Sequence, residues 1–400
     1  MNHTFTDLVN LLETKGAADI LKYASAPGVI PLSAGSPSQE AFPTAQLAEI
    51  AAAIFQEDPI TALQYNATEG YPALRQFLPG WLKEKYGIGT ENDALVLTTG
   101  AQQAVWLTAA CLCTKGDTVL CEDPSFVGSL NCFRATGAEL VGIPMEDDGI
   151  DTAALERAME THSNVRLLYT IPNFQNPTGV TMSLEKRRRV YALAKAHQVT
   201  IIEDNPYGDL RYEGENLPAI KTLDTDGLVV YAGSFSKVVA PGLRVGYALA
   251  DRSLAAAMSQ VKLCDDVHTT MLSQMMCHRY LTQYDFEGHL RLLRSLYAKK
   301  YSFAKSCFQK HLAPHGVGLA PAQGGLFLWL TLPEDVPMGP FCTAAVRDHK
   351  VGVVPGTTFT VDPHSSIQGF RVNFSSPAEE AIEEGFARLE QCLLEFRKQA

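Results

Sequence analysis

Between residues 50 and 285 short β-rich runs alternate with helical stretches, and the runs close on glycine, proline or polar residues. DALVLTTG ends at Gly100, DTVLCEDP at Pro124, AELVGIPM at Met145, VRLLYTIP at Pro172, VTIIEDNPY at Tyr207 and LVVYAGSFSK at Lys237. Strands separated by helix-length segments are suited to parallel pairing, which needs long crossovers and leaves the strands buried on both faces. The spacing therefore predicts an α/β chain with a mostly parallel central sheet, covered by helices on both sides, in a large domain spanning residues 50–285. In such sheets ligands bind beyond the carboxyl ends of the strands, which is where the polar and glycine residues collect here.

Past residue 286 the texture changes. Gly288 to Leu312 reads as a long amphipathic helix, GGLFLWLTL as a strand, PFCTAAVRDH as a helix and VGVVPG and FRVNFS as strands. A closing helix runs from Ala378 to about Lys398 behind Pro377. This predicts a smaller α+β domain over residues 286–400. The N-terminal segment 1–49, with a helix around Phe5 to Tyr23 and the PGVIPLSAG stretch, is expected to complete it and bring the two ends of the chain together.

A chain of 400 residues is long enough for two domains with separate cores. Its 33 basic and 44 acidic residues give a formal charge of −11, which lacks the electrostatic footprint of a nucleic-acid binder. Met1 to Lys15 has no basic flank followed by an apolar core, and no apolar run approaches the roughly 20 residues of a membrane span. Nine cysteines, an odd number without paired metal-ligand spacing, fit a reducing cytoplasm and predict no metal. No GxxxxGK[ST] segment occurs, and Gly100 lacks the companion glycines of a dinucleotide fingerprint.

The strongest local signal is Ser234-Phe235-Ser236-Lys237, followed by Pro241-Gly242-Leu243-Arg244-Val245-Gly246-Tyr247. A lysine at a strand end can form a Schiff base with a carbonyl, and removing water around it favours the neutral nucleophilic amine. Asp204 closes another strand, with Tyr207 three residues on; a carboxylate at the inner end of a buried strand requires a cationic or proton-donating partner. A protonated pyridine nitrogen, as in pyridoxal-phosphate chemistry, would meet that requirement. Glu203 would point to the opposite side of the strand. In Asn173-Phe174-Gln175-Asn176-Pro177-Thr178-Gly179 the Asn-Pro step disfavours a helical Asn176, whose amide could donate to a cofactor phenolate oxygen. Thr98-Thr99-Gly100-Ala101-Gln102-Gln103 passes from strand to helix, where free N–H groups would meet a phosphate dianion.

LQYNATEGYPALR, TTGAQQAV, NFQNPTG, EDNPYGDL, SFSKVVAPGLRVGY and GFRVNFS, in this order, resemble a fold-type I pyridoxal-phosphate aminotransferase over nearly the whole chain. The sequence is most similar to the 2-aminoadipate and kynurenine aminotransferases, and to the catalytic halves of MocR-type regulators. The resemblance implies pyridoxal 5'-phosphate, held by Lys237 as a Schiff base, with Asp204 on the pyridine nitrogen and Asn176 and Tyr207 on the ring hydroxylate. It places Gly100, Ala101, Gln102, Ser234, Ser236 and Arg244 around the phosphate. Tyr65 would reach the neighbouring subunit's phosphate in a homodimer, and Arg371 would grip the substrate carboxylate, with Gly35 close by. Phe126 takes the ring-stacking position where relatives often carry tyrosine, keeping the stack without a phenolic hydrogen bond. Ala34-Gly35 stands where the family often has a glycine pair, so Ala34 narrows the pocket edge.

On their residues alone, Tyr65 also reads as packing, Phe126 as core and Arg371 as a surface strand residue. Lys186-Arg187-Arg188-Arg189 reads as a solvated helix face, since four successive positions cannot face one partner. His268 and His278 read as interface or turn residues, Met271, Met275 and Met276 as core or dimer packing, and Trp329 as strand core. The resemblance implies a cytoplasmic, homodimeric aminotransferase with ping-pong chemistry. Its substrates would be aliphatic, aromatic or 2-aminoadipate-like amino acids and a 2-oxo acid, 2-oxoglutarate by resemblance. A pyridoxal-phosphate β-lyase or other Cα-bond-cleaving enzyme shares the same constellation. A non-enzymatic amino-acid-sensing module is disfavoured, because no basic helix-turn-helix segment precedes residue 50 and Asp265-Asp266 adds acidity.

Overall fold

The computed structural model describes residues 26–399 together with His3, Thr4, Thr6, Leu8, Val9 and Leu12. The helix expected around Phe5 to Tyr23 falls mostly outside the described residues. The large sheet has eight strands in the order β1-β8-β7-β6-β5-β2-β3-β4. They are β1 (Asp93–Thr98), β2 (Thr118–Asp123), β3 (Glu139–Glu146), β4 (Gly149–Ile150), β5 (Val165–Thr170), β6 (Thr200–Asp204), β7 (Val229–Ser234) and β8 (Gly246–Asp251).

Pairing is parallel across β3-β2-β5-β6-β7, as the crossover lengths require. The strand β8 was not among the runs read from the sequence. Its GYALAD sits directly behind the Arg244 segment and is inserted antiparallel between β1 and β7. That register sets Thr98 and Ser234 on either side of Gly246, so three motif residues share one sheet edge.

A second, antiparallel sheet has the order β11-β12-β10-β9, with β9 (Gly318–Leu319), β10 (Phe327–Thr331), β11 (Val354–Pro355) and β12 (Gly369–Asn373). The expected VGVVPG strand shrinks to the two residues of β11, because a short 3-10 turn over Gly356–Phe359 follows at once. The helix Phe286–His311 joins the two halves: Phe286, Leu290, Leu293 and Tyr297 enter the core under the large sheet, and Tyr301, Ala304, Cys307 and Phe308 the core of the small one. The C-terminal helix Glu379–Gln399 closes that second core with Ile382, Phe386, Leu389 and Leu393. Ile30 and Leu32 join it, with Ile30 bridging Val351 in parallel. Among the described residues no helix is long and apolar enough to cross a membrane.

One surface assignment is corrected. Arg187 is fully buried rather than part of a solvated face. Its Nε donates to the Met182 carbonyl, Nη1 to Pro218 O and Nη2 to Pro172 O and Asn173 Oδ1. The guanidinium serves as an internal splice for loop carbonyls that no strand satisfies, which is tolerated because its donors find acceptors. Its neighbour Lys186 stays near the surface, paired with Glu146 and Asp148.

Candidate active site

At one end of the site β1 runs into the helix Ala101–Leu112, whose N-cap Gly100 has φ +76° and no side-chain cap. The first N–H groups of that helix therefore carry no side-chain acceptor, and the helix dipole adds partial positive charge. Arg244, itself left-handed at φ +54°, donates from Nη2 to Thr99 O at 3.2 Å and from Nη1 to Pro241 O at 3.3 Å. A Cβ on Gly100 would lie 2.5 Å from Arg244 Nη2, and one on Gly246 would lie 2.6 Å from the Gly100 carbonyl carbon. At Gly246 the neighbours are backbone, so glycine is a steric requirement, whereas at Gly100 the guanidinium tip can move and it is the positive φ that favours glycine. Ser234 and Ser236 share a hydroxyl hydrogen bond of 2.9 Å beside them. Backbone N–H groups, hydroxyls and a guanidinium around a glycine-lined cradle suit a phosphate dianion. Gln102 spends its side-chain amide on Gly128 O at 2.7 Å, so what it offers to this edge is its backbone N–H.

One layer along, Asp204 ends β6 fully enclosed. Its Oδ2 accepts from the Tyr169 hydroxyl at 2.7 Å, and Tyr169 in turn accepts from Ser129 at 2.8 Å, while Asp204 Oδ1 has no partner. Burial pushes the carboxyl up to about 7, against the Tyr169 bond, with buried Glu122 adding to the rise. An orphaned, buried carboxylate oxygen calls for a donor, and a protonated ring nitrogen is one that fits. Asn176 Nδ2 lies 3.5 Å from the Tyr207 hydroxyl, so these two side chains stand together. Glu203 faces the other side of the strand and accepts from the Ile220 and Lys221 N–H groups.

Lys237 is partly buried and donates from Nζ to Gly35 O at 2.7 Å. Burial, helped by the positive charges of Arg371 and Arg244, draws its pKa down to about 8. Phe126 caps the helix Val127–Ala135 and stands against Gly128, where a Cβ would come within 2.7 Å of its ring.

At the far end Arg371 projects from β12. It is 7% exposed, which excludes a surface role. Its guanidinium carbon lies 4.3 Å from the Phe327 ring centre and 4.9 Å from that of Phe359. Nη1 donates to Asn176 Oδ1 at 2.8 Å and Nη2 to Ser33 O at 2.9 Å, leaving Nε buried without a partner. Burial lowers its pKa to about 10, so it remains a cation at neutral pH with its Nε–H unspent.

Tyr65 stands apart from this cluster. It is 78% exposed, with its ring edge-on to His268 at 6.0 Å. Met271 and Met275 are buried in the core under the large sheet, and Trp329 packs with Val354 and Phe359 in the small one.

The sequence reading missed Tyr169, Glu122, Gln175, Phe327 and Phe359. Glu122 was open to the argument that singled out Asp204: a carboxylate at a buried strand end needs donors. It finds them in Thr170 Oγ1, Ile171 N–H at 3.1 Å and Gln175 Nε2 at 3.1 Å.

The chain matches the family described as "Aminotransferase class I and II" over residues 27–389. It is 34% identical over 389 residues to aromatic-amino-acid aminotransferase 1 of Thermococcus litoralis, covering 95% of this chain and 91% of the relative. Among solved structures, the multiple substrate aminotransferase of Thermococcus profundus superposes with a TM-score of 0.94 at 32% identity, over 99% of this chain and 98% of that one. The α-aminoadipate aminotransferase of Thermus thermophilus, solved with N-(5'-phosphopyridoxyl)-L-leucine, gives 0.89 at 31% identity, over 99% and 98%.

Proposed function

The chain belongs to the class I and II aminotransferases and is a pyridoxal-phosphate-dependent enzyme, and from that premise we propose that it transfers the α-amino group of aliphatic, aromatic or 2-aminoadipate-like amino acids to 2-oxoglutarate. The observation that carries the reading is Arg371, a buried guanidinium with an unspent Nε, joined through Asn176 to Tyr207 in the same cluster as Lys237.

When bound, pyridoxal phosphate supplies an aldehyde carbon for the substrate amine and a conjugated ring that accepts the electron pair left at Cα. The residues that would hold it are Gly100, Ala101, Gln102, Ser234, Ser236 and Arg244 at the phosphate, Asp204 at the ring nitrogen, Asn176 and Tyr207 at the ring oxygen, and Phe126 on the ring face. Lys237 is the proton carrier. Because burial disfavours its charge, Nζ is neutral in a sizeable fraction near pH 8, so it would accept the Cα proton and deliver it to the former aldehyde carbon instead of back to Cα. Arg371 binds the carboxylate and so orients the Cα–H bond. Gly35 leaves the backbone open beside that carboxylate.

The apolar character of Phe126 and of the residues around Gly35 and Val354-Pro355-Gly356 supports this donor range, as do relatives named as aromatic-amino-acid and α-aminoadipate aminotransferases. We read residues 50–285 as the cofactor-binding unit and residues 286–400 with 1–49 as the smaller one. The enzyme works in the cytoplasm as a homodimer in which Tyr65 reaches the partner's phosphate. Ile60 (72%), Leu63 (72%) and Tyr65 (78%) support this, as an exposed apolar strip that a second copy would cover.

The test follows each half-reaction separately by the cofactor's absorbance, across a panel of amino acids and then of 2-oxo acids. Leucine, 2-aminoadipate and phenylalanine are expected to react, with recovery by 2-oxoglutarate. Exclusive reaction with aspartate, or release of ammonia and pyruvate, would refute the reading.

A further inference from the structure

The segment that follows β11, residues 356–362, leaves the small sheet and is fastened to the corner of the large one. Ser125 N–H donates to Phe359 O at 2.7 Å, and Val361 N–H donates to Asp123 Oδ1 at 3.1 Å. Arg134 Nη2 donates to Val361 O at 3.0 Å and lies 3.4 Å from Thr360 O, while Nη1 is held by Asn131 Oδ1 at 3.1 Å. The Val361 side chain packs against the core of the large sheet, and Thr360 Oγ1 ties the segment to itself through Asp362 O at 2.7 Å. Phe359, in the middle, is one of the two rings that face the Arg371 guanidinium.

We propose that Arg134, with Asp123 and Ser125, forms a latch that sets the position of the Arg371 carboxylate clamp relative to Phe126, so that Arg134 is a positioning residue for the amino acid and not for the cofactor. The helix Val127–Ala135 begins directly after Phe126 and carries Arg134 in its last turn. Its rise over that span is about 12 Å, a stiff arm between the two residues. From Arg134 the path continues through two backbone carbonyls to Phe359 and then to Arg371. The phosphate cradle, built on Gly100, Ser234 and Gly246 at the other end of the sheet edge, shares none of the contacts of Arg134, and meets the same helix only through the Gln102 side chain, on Gly128 O and Cys132 Sγ. Both acceptors on the segment are neutral carbonyls, so the latch depends on the directed, forked N–H groups of a guanidinium more than on its charge.

The proposal rests on the reading that Arg371 binds the substrate carboxylate, and the experiment separates the two. The holoenzyme variants Arg134→Met, Arg134→Lys and Arg371→Met are compared with the parent. The readouts are KM and kcat for leucine, the Kd of 4-methylpentanoate (the same carbon skeleton without the amine), the Kd of pyridoxal phosphate for the apoprotein, and the melting temperature. Arg134→Met is expected to raise KM and the 4-methylpentanoate Kd about tenfold, as for loss of one or two charge-assisted bonds. Cofactor Kd should stay within about twofold, since distant sites act independently. Arg134→Lys should recover part of the loss, because one donor can still reach one carbonyl. Unchanged 4-methylpentanoate binding in Arg134→Met, with weakened binding in Arg371→Met, overturns the latch alone. A parallel fall in cofactor affinity and melting temperature in Arg134→Met overturns it as well, by making Arg134 a general structural residue. Unchanged binding in Arg371→Met overturns the clamp and the latch with it.

Discussion

The two ends of the candidate site, the proposed phosphate end and the proposed carboxylate end, are built in different ways. The phosphate end is made by one sheet edge: Thr98, Ser234 and Gly246 are lateral neighbours in register, and the glycines there leave no room for a side chain. The carboxylate end is assembled from segments far apart in the chain, with Arg371 bonded to Ser33 and Asn176 and facing Phe327 and Phe359. The first is a backbone cradle whose geometry follows from strand pairing. The second is a side-chain cluster whose geometry depends on how two sheets sit together.

Lys237 belongs to both ends, since its chain segment leaves β7 beside Ser234 and its Nζ donates to Gly35 O. Its removal is therefore the largest expected effect. Lys237→Ala should lower turnover by at least about 10⁴-fold, the upper end of what a positioned acid–base group contributes. Borohydride reduction with peptide mapping should label Lys237 in the parent. Label on another lysine would dissociate the two ends.

Exchanging damage between the ends comes next. Arg371→Leu should raise KM for the amino acid by roughly 10- to 100-fold, the range for losing charge-assisted hydrogen bonds, and leave cofactor affinity near the parent's. Arg244→Leu should do the reverse, by roughly tenfold on cofactor Kd, because this arginine is exposed and its contacts are screened. Apoprotein titration and saturation kinetics on the same preparations decide it. Equal effects on both parameters in either variant would erase the distinction.

The same contrast governs what the sequence could reveal. Strand-end position and local motif single out Gly100, Ser234, Lys237 and Arg244 as candidates, because the proposed phosphate end is written in short contiguous segments. The parallel sheet was legible for the same reason, apart from β8, whose insertion depends on closing Phe235 N–H onto Val245 O and on no periodicity of its own. At the carboxylate end only the family resemblance pointed to Arg371. Phe327 and Phe359 had no local signal, since ring-to-guanidinium contact is a property of packing between sheets. Arg187 was misplaced because a run of four basic residues hides the one that turns inward.

A pair of glycines sharpens the comparison at smaller amplitude. Gly246→Ala would set a Cβ 2.6 Å from the Gly100 carbonyl carbon and 2.8 Å from Ala101 N, both backbone atoms, and should cost about 1–3 kcal/mol of stability, as overpacking does. Gly35→Ala would meet only the Phe327 ring, at 3.8 Å, an ordinary contact. Its stability should stay within about 0.5 kcal/mol, so any rise in KM would report on the substrate. Urea unfolding of both variants checks this, and a larger loss for Gly35→Ala would reverse the assignment of rigidity to the phosphate end.

The last effect is a slope. Asp204 lies between the two ends, and in the apoprotein its carboxyl titrates near 7 instead of its ordinary 3.8 because it is buried with Oδ1 unpartnered. Between those values the folded chain keeps a proton that the unfolded chain has released, so stability falls as pH rises through the window and levels off above it. One such group contributes at most about 1.4 kcal/mol per pH unit. Asp204→Asn removes the titration while retaining an acceptor for Tyr169. Glu122 is raised to about 6 by burial and titrates in the same window, so the measurable quantity is the difference between parent and variant. Urea unfolding of the two apoproteins at pH 5, 6 and 7 should show the parent losing stability more steeply. Adding pyridoxal phosphate should flatten the parent's curve, since a donor on Oδ1 favours the carboxylate. Parallel curves with and without cofactor would mean that Asp204 is already satisfied in the apoprotein, and its assignment to a ring nitrogen would fall.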